Sequence, residues 1–151
     1  MRRRGPWDSS EIEKFLTGAK IPLRLAVTGP SDGTPFVVSL WYLWRDGAFW
    51  CATPEKSAVV AALRLSPGCG FEVAGEIPPY HGVRGQGRAG VTGDGGVLLR
   101  ELYARYGGRP DHPFAEWLLN RDEPEAVIRI VPDRMTSWDF RARMGDAFDR
   151  R

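Results

Sequence analysis

The stretch from Pro35 to Trp44 constrains the fold more than any other part of this chain. As a strand, it puts Phe36, Val38, Leu40, Tyr42 and Trp44 on one face and Val37, Ser39, Trp41 and Leu43 on the other. Side chains alternate across a strand, so a half-buried strand is polar on one side. This one barely is. Something is expected to cover both faces: barrel closure, a bound planar ligand or a partner subunit. Asp46-Gly47 then signals a hairpin, because both residues tolerate positive φ, and the chain returns as a strand through Ala48 to Thr53.

Other segments repeat the theme of short strands with helices between them. Leu23, Leu25 and Val27 alternate with Arg24, Ala26 and Thr28, which predicts a strand. Further strands are expected at Cys69–Glu76, Val83–Thr92, Ala126–Val131 and Met135–Phe140, the last two divided by Pro132-Asp133. Helical spacing appears at Ile12, Phe15 and Leu16 after a Ser10-x-x-Glu13 capping box. It recurs at Val59, Val60 and Leu63, at Leu98 to Tyr106 before Gly107-Gly108, and from Pro113 through Leu118. Antiparallel-looking strands with inserted helices predict an α+β fold dominated by a small barrel.

Composition removes several function classes. With 21 basic and 19 acidic residues the net charge is only +2, too balanced to make nucleic acid the expected partner. No run of about 18 apolar residues is present, so no membrane span is expected. Met1-Arg2-Arg3-Arg4 starts like a secretory signal, but Pro6, Asp8, Glu11 and Glu13 interrupt the apolar stretch that should come next. Residues 1–9 are therefore expected to be a disordered basic lead on a cytoplasmic protein. Cys51 and Cys69 form no C-x-x-C pair, and His81 and His112 have no neighbours at ligand spacing, so neither a disulfide framework nor a metal site is expected.

Two motifs bear on chemistry. Gly85-Gln86-Gly87-Arg88-Ala89-Gly90 is a literal G-x-G-x-x-G, yet it alternates like a strand, and Gly93-Asp94-Gly95-Gly96 blocks an immediate helix. A dinucleotide fingerprint needs that helix. The glycines instead suit close approach of another backbone or a flat ligand. In Thr53-Pro54-Glu55-Lys56-Ser57, a strand ends in hydroxyl and ammonium groups as a helix begins. A helix start offers unpaired N–H groups and a positive dipole end, which suits a phosphate. The alternative is that Ser57 caps the helix and Lys56 is solvated. No Ser/His/Asp or Cys/His constellation can be assigned, so catalytic residues stay unknown.

The order of these segments carries a resemblance. Leu25-Ala26-Val27-Thr28, Asp32-Gly33-x-Pro35, Val37-Val38-Ser39-Leu40-Trp41, Phe49-x-x-x-Thr53 and Val83 to Ala89 together resemble the pyridoxamine 5'-phosphate oxidase-like FMN-binding split barrels. The end, Arg129 to Arg134 running to Ser137-Trp138-Asp139, is similar to the closing strands of that family's deazaflavin-associated relatives. The resemblance spans residues 10–141, leaving 142–151 as a C-terminal tail. It implies an antiparallel six-stranded split β-barrel with peripheral helices, working as a homodimer with flavin at the subunit interface. Residues Val38, Ser39, Leu40 and Trp41 would lie along the flavin ring. Thr53, Lys56 and Ser57 would grip the phosphate with help from Arg88, and Trp138 would approach from the partner chain. Where the family often carries a further basic residue, this chain has Val59, so the phosphate charge is smaller or comes from Arg24, Arg64 or Arg88.

The function this implies is FMN-dependent hydride transfer to or from a small organic substrate. Coenzyme F-420, a deazaflavin with a polyanionic tail, is the alternative cofactor. A non-catalytic flavin-binding protein and a barrel that has lost its ligand are the other readings. Pyridoxamine phosphate oxidase activity itself is not expected, because Arg141–Arg151 shows no pattern for a substrate-phosphate clamp.

Overall fold

The computed structural model describes residues 1–148. The elements run β1 (Arg2–Arg4), α1 (Ser9–Gly18), β2 (Leu23–Thr28), β3 (Pro35–Leu40), β4 (Leu43–Arg45) and β5 (Ala48–Pro54). They continue as α2 (Ala58–Leu65), β6 (Gly68–Ala74), β7 (His81–Thr92), α3 (Gly96–Arg105), α4 (Pro113–Leu119), β8 (Glu125–Asp139) and α5 (Arg141–Phe148). Strand order is β3-β2-β6-β7-β8-β5-β4, with β1 added beside β8. Thus β3 and β4 lie at opposite ends of the path although only Trp41 and Tyr42 separate them in the chain. The curled sheet forms a half-barrel with helices around it, the expected α+β split barrel.

The expectation of six strands needs correction, because seven follow one another across the sheet and β1 makes an eighth. One cause is the break in the strand expected over Pro35–Trp44. At Tyr42 the backbone N–H bonds the Tyr106 hydroxyl (3.3 Å) and the carbonyl accepts from Arg105 Nε (2.9 Å). Side chains from the end of α3 therefore serve Tyr42 where ladder partners would otherwise be needed. The buried Tyr42 ring points inward, and its hydroxyl donates to the Leu16 carbonyl at 2.9 Å.

The second cause is the N-terminus. Arg2–Arg4 is not a disordered lead but a strand, parallel to Arg134–Thr136. Trp7, buried, anchors the approach to α1: its backbone N–H donates to Ser137 Oγ (3.1 Å) and its indole N–H to Asp139 (3.0 Å). Helix α1 then starts two residues earlier than expected. Its capping box is Asp8 with Glu11, each side chain accepting the other's backbone N–H, and not Ser10 with Glu13.

Strand β8 also departs from expectation, since Pro132 does not divide it. Asp133 is skipped in the register opposite Gln86 and Gly87, a bulge that absorbs one residue. Pro132 also falls between the last pairing with β5 (Ile130) and the first with β1 (Arg134), where a missing N–H is tolerated. At the hairpin, Asp46 and Gly47 adopt φ of 52° and 68°, the left-handed pair expected of a tight two-residue turn.

The main core lies inside the curl: Leu23, Leu25, Phe49, Cys51, Phe71, Val73, Val83, Ile128, Ile130 and Met135, sealed by Ile12 and Leu16 of α1 and Val60 and Leu63 of α2. A second, smaller cluster joins Leu99 and Tyr103 of α3 to Ala115 and Leu118 of α4, against Trp41 and Ala52. No helix among the described residues is long and apolar enough to cross a membrane. Of the segment 142–151, expected as a tail, residues up to Phe148 belong to α5 and residues 149–151 lie outside the described residues.

Candidate functional site

Sheet register generates a feature that no single segment reveals. On β2, Leu23, Leu25 and Val27 are buried, so Arg24 and Ala26 face outward. Pairing carries each outward residue to its neighbours. One row reads Ser39, Arg24, Glu72, Arg84, Thr136 and Arg4 across β3, β2, β6, β7, β8 and β1. The next reads Val37, Ala26, Gly70, Gln86, Arg134 and Arg2. These rows line a cavity of about 650 Å³, floored by the small residues Ala26 and Gly70 and ringed by five arginines. Glu72 is its one carboxylate among the described residues. The Arg84 guanidinium also lies over the Trp138 ring, 5.4 Å from its centroid.

A second feature is the corner where β5 meets α2. Thr53 is buried opposite Ala126 of β8, and Lys56 is exposed. Ser57 occupies the N-cap position with an extended backbone, yet its side chain makes no capping bond. Its Oγ is buried without any hydrogen-bond partner. The plain alternative, Ser57 as an ordinary cap, is therefore not what the structure shows. A buried hydroxyl at a helix start is a donor held ready for an acceptor. Of the arginines expected to add charge, Arg64 pairs with Glu55 (2.9 Å) and Arg24 with Glu76.

The residues expected to hold cofactor fall into distinct places. Ser39, Arg88 and Trp138 share the outer face, Arg88 exposed beyond Gln86 and paired with Gly68 and Val131. Val38 and Leu40 turn inward and pack on the core. Trp41 sits at the crossing, stacked on Tyr106 with ring centroids 5.3 Å apart. Thr53, Lys56 and Ser57 form the β5–α2 corner. The arginine-lined cavity includes none of Thr53, Lys56, Ser57, Arg88 or Trp138. Among the described residues the outer side of β3 is bare, and Val37 is 64% exposed, so the cover expected on both faces is present on one.

The glycine run is structural. A Cβ on Gly85 would lie 2.1 Å from the Arg134 carbonyl oxygen, and one on Gly87 would lie 2.4 Å from that of Val131. The neighbour the glycines admit is the backbone of β8. Sequence reasoning missed Arg2, Arg4 and Arg134 as members of a charged surface. Their signal, an alternation Arg2-x-Arg4 matching Arg134-x-Thr136, acquires meaning only through long-range pairing.

Electrostatics argue against a thiol mechanism. Burial pushes the Cys69 thiol up to about 11 and raises Cys51 further, so both stay protonated at neutral pH. The Arg141 guanidinium holds the Asp139 carboxyl well below the ordinary range, with the Trp7 indole contributing.

No family model matches the chain, and no curated protein matches it. Solved structures do. A conserved hypothetical protein of Mycobacterium tuberculosis is 30% identical with TM-score 0.71, over 90% of this chain and 87% of the other. An F-420 reductase is 22% identical with TM-score 0.66, over 81% and 94%. A pyridoxamine 5'-phosphate oxidase candidate from Listeria innocua is 15% identical with TM-score 0.63, over 85% and 95%.

Proposed function

We propose that this chain, which shares the split-barrel fold of an F-420 reductase and a pyridoxamine 5'-phosphate oxidase candidate, binds a flavin-type cofactor and works as an FMN-dependent oxidoreductase on a small organic substrate. The observation that carries this reading is the unpartnered, buried hydroxyl of Ser57 at the start of α2. A phosphate placed there accepts from Ser57, draws on the positive end of the helix and meets the one lysine of the segment, Lys56. Thr53 supplies a second hydroxyl from the end of β5. The ring would run along β3, with Ser39 outward and Val38 and Leu40 stiffening the strand from behind. Bound FMN supplies hydride transfer, while the protein positions it and excludes water.

The bare outer side of β3 supports assembly as a homodimer, in which a partner's Trp138 region covers the ring. Coenzyme F-420 is the second reading, favoured by the F-420 reductase among the structural neighbours. The absorbance of purified protein separates the two, with a band near roughly 450 nm for a flavin and roughly 420 nm for a deazaflavin. Native mass should read two chains. Ser57→Ala and Lys56→Ala should weaken FMN binding. A colourless protein that gains no thermal stability from excess FMN or F-420 would overturn the proposal, since a ligand of the folded form must stabilise it. Bound cofactor that no donor–acceptor pair turns over would leave a cofactor-holding protein without catalysis.

A further inference from the structure

We infer that the cavity between the start of α3 and the end of α4 binds a small aliphatic α-amino acid, its ammonium on Glu125 and its carboxylate towards the α3 N-terminus. This cavity of about 250 Å³ shares no lining residue with the arginine-ringed one and includes none of Thr53, Lys56 or Ser57.

Unmet hydrogen bonds come first. Glu125 lines the cavity, and its side chain is only 7% exposed. One of its oxygens accepts from Arg121 Nη2, while Oε2 has no partner. Arg121 also lines the cavity and keeps a buried Nε–H with no acceptor. Its guanidinium is held in place by that ion pair and by the Trp117 ring, whose centroid lies 5.2 Å away. A buried acceptor and a buried donor left unmet side by side are costly, and a ligand carrying one of each removes both costs. Helix α3 adds further donors. Its N-cap, Gly95, makes no side-chain cap and gives its own N–H to the Glu125 carbonyl at 2.8 Å. The N–H groups of Gly96, Val97 and Leu98 precede the first intrahelical bond, from Leu99 to Gly95, and so suit an anion.

The two ends required, a cation at Glu125 and an anion at the helix start, are those of an α-amino acid. No group of three metal-ligating side chains converges among the described residues, so an ammonium suits Oε2 better than a metal ion. Arg100, in no ion pair among the described residues, adds positive charge on the carboxylate side. Leu99, Leu118, Leu119 and Pro124 form an apolar wall for the side chain, whereas Asp94 and Glu123 repel an acidic one. The volume lies below the roughly 300–1,000 Å³ of sites for drug-sized ligands, so a single amino acid fits where a nucleotide does not.

Calorimetric titration of L-valine into the full chain tests the inference, with thermal unfolding alongside. One equivalent per chain is expected, with a rise in Tm at saturation. Isovalerate, which lacks the ammonium, and isobutylamine, which lacks the carboxylate, should each bind about tenfold more weakly or worse, since each loses a charged hydrogen bond. L-Glutamate should not compete. Glu125→Gln keeps an oxygen for Arg121 but turns a donor towards the ammonium, and should weaken valine binding about tenfold or more. Arg100→Ala, a change at an exposed side chain, should weaken it about two- to fivefold, whereas Arg109→Ala, outside the cavity, leaves it unchanged. FMN and F-420 binding should be untouched by Glu125→Gln, which keeps this test separate from that of the cofactor. If Glu125→Gln does not fold, the two analogues on the wild type decide. The inference is overturned by no heat and no Tm rise with L-valine, L-leucine or L-alanine, by analogues that bind as tightly as valine, or by wild type and Glu125→Gln binding alike.

Discussion

Substituting the glycines of Gly85-x-Gly87-x-x-Gly90 separates a structural role from a phosphate-cradling one. An alanine at 85 would place its Cβ 2.1 Å from the Arg134 carbonyl oxygen and 2.6 Å from Phe71 Cζ. The first of these is backbone, so relief requires β7 and β8 to part by about 1 Å or more in the middle of their ladder. Overpacking costs about 1–3 kcal/mol, and a backbone obstacle puts Gly85→Ala at the upper end. Gly87→Ala meets Val131 at 2.4 Å and ranks close behind. At Gly90 nothing lies within 4 Å of the added carbon. Gly90→Ala should be neutral or stabilising by about 0.4–1 kcal/mol, through a less flexible unfolded chain. For a domain of this length about 1 kcal/mol moves Tm by roughly 2–4 °C, so Gly85→Ala should lower it by about 6–12 °C. Urea unfolding followed by tryptophan fluorescence measures all three, alongside FMN titration of each folded variant. Equal stability across the three, with ligand affinity lost instead, would refute the reasoning.

Arg105→Met should cost about 2–3 kcal/mol, because its guanidinium serves the carbonyls of Leu16, Thr17, Ala19 and Tyr42; Arg105→Lys, lacking the fork, should recover only part on denaturant titration. Asp139 has a folded pKa below its unfolded one, so its contribution is present above the ordinary aspartate range and lost as pH falls through and below it. The urea midpoint of the wild type should therefore drop on acidification below about pH 4 more than that of Asp139→Asn. Native protein at pH 7.5 (roughly, within the range where Cys69 stays a thiol) should resist a thiol reagent, and unfolding should release two reactive thiols per chain; rapid labelling of folded protein would contradict the burial described.

Local chemistry made most of the fold legible. Alternation located β2 to the residue, and Asp46-Gly47 announced its turn because few residues accept two successive positive φ values. Three errors share a cause, which is that partners distant in sequence decided the outcome. Pro132 reads as a strand breaker until the bulge opposite Gln86 is known. Arg2–Arg4 reads as a solvated tail until β8 offers an edge. The continuous apolar strand at Pro35 breaks because Arg105 and Tyr106, some sixty residues on, take over the hydrogen bonds of Tyr42. The Ser57 corner was visible in residue types alone, whereas the arginine rows were not, since they exist only in the register of six strands.

The crossing at Trp41 and Tyr42 has a mechanical consequence. Both margins of the barrel's seam hang from this dipeptide, and Arg105 ties it to the last carbonyls of the first helix. Prising the seam open must therefore drag the third helix, the first helix and the stacked Trp41–Tyr106 pair together. One guanidinium acts as the rivet where three parts of the chain overlap, and a load on any of them is shared by all.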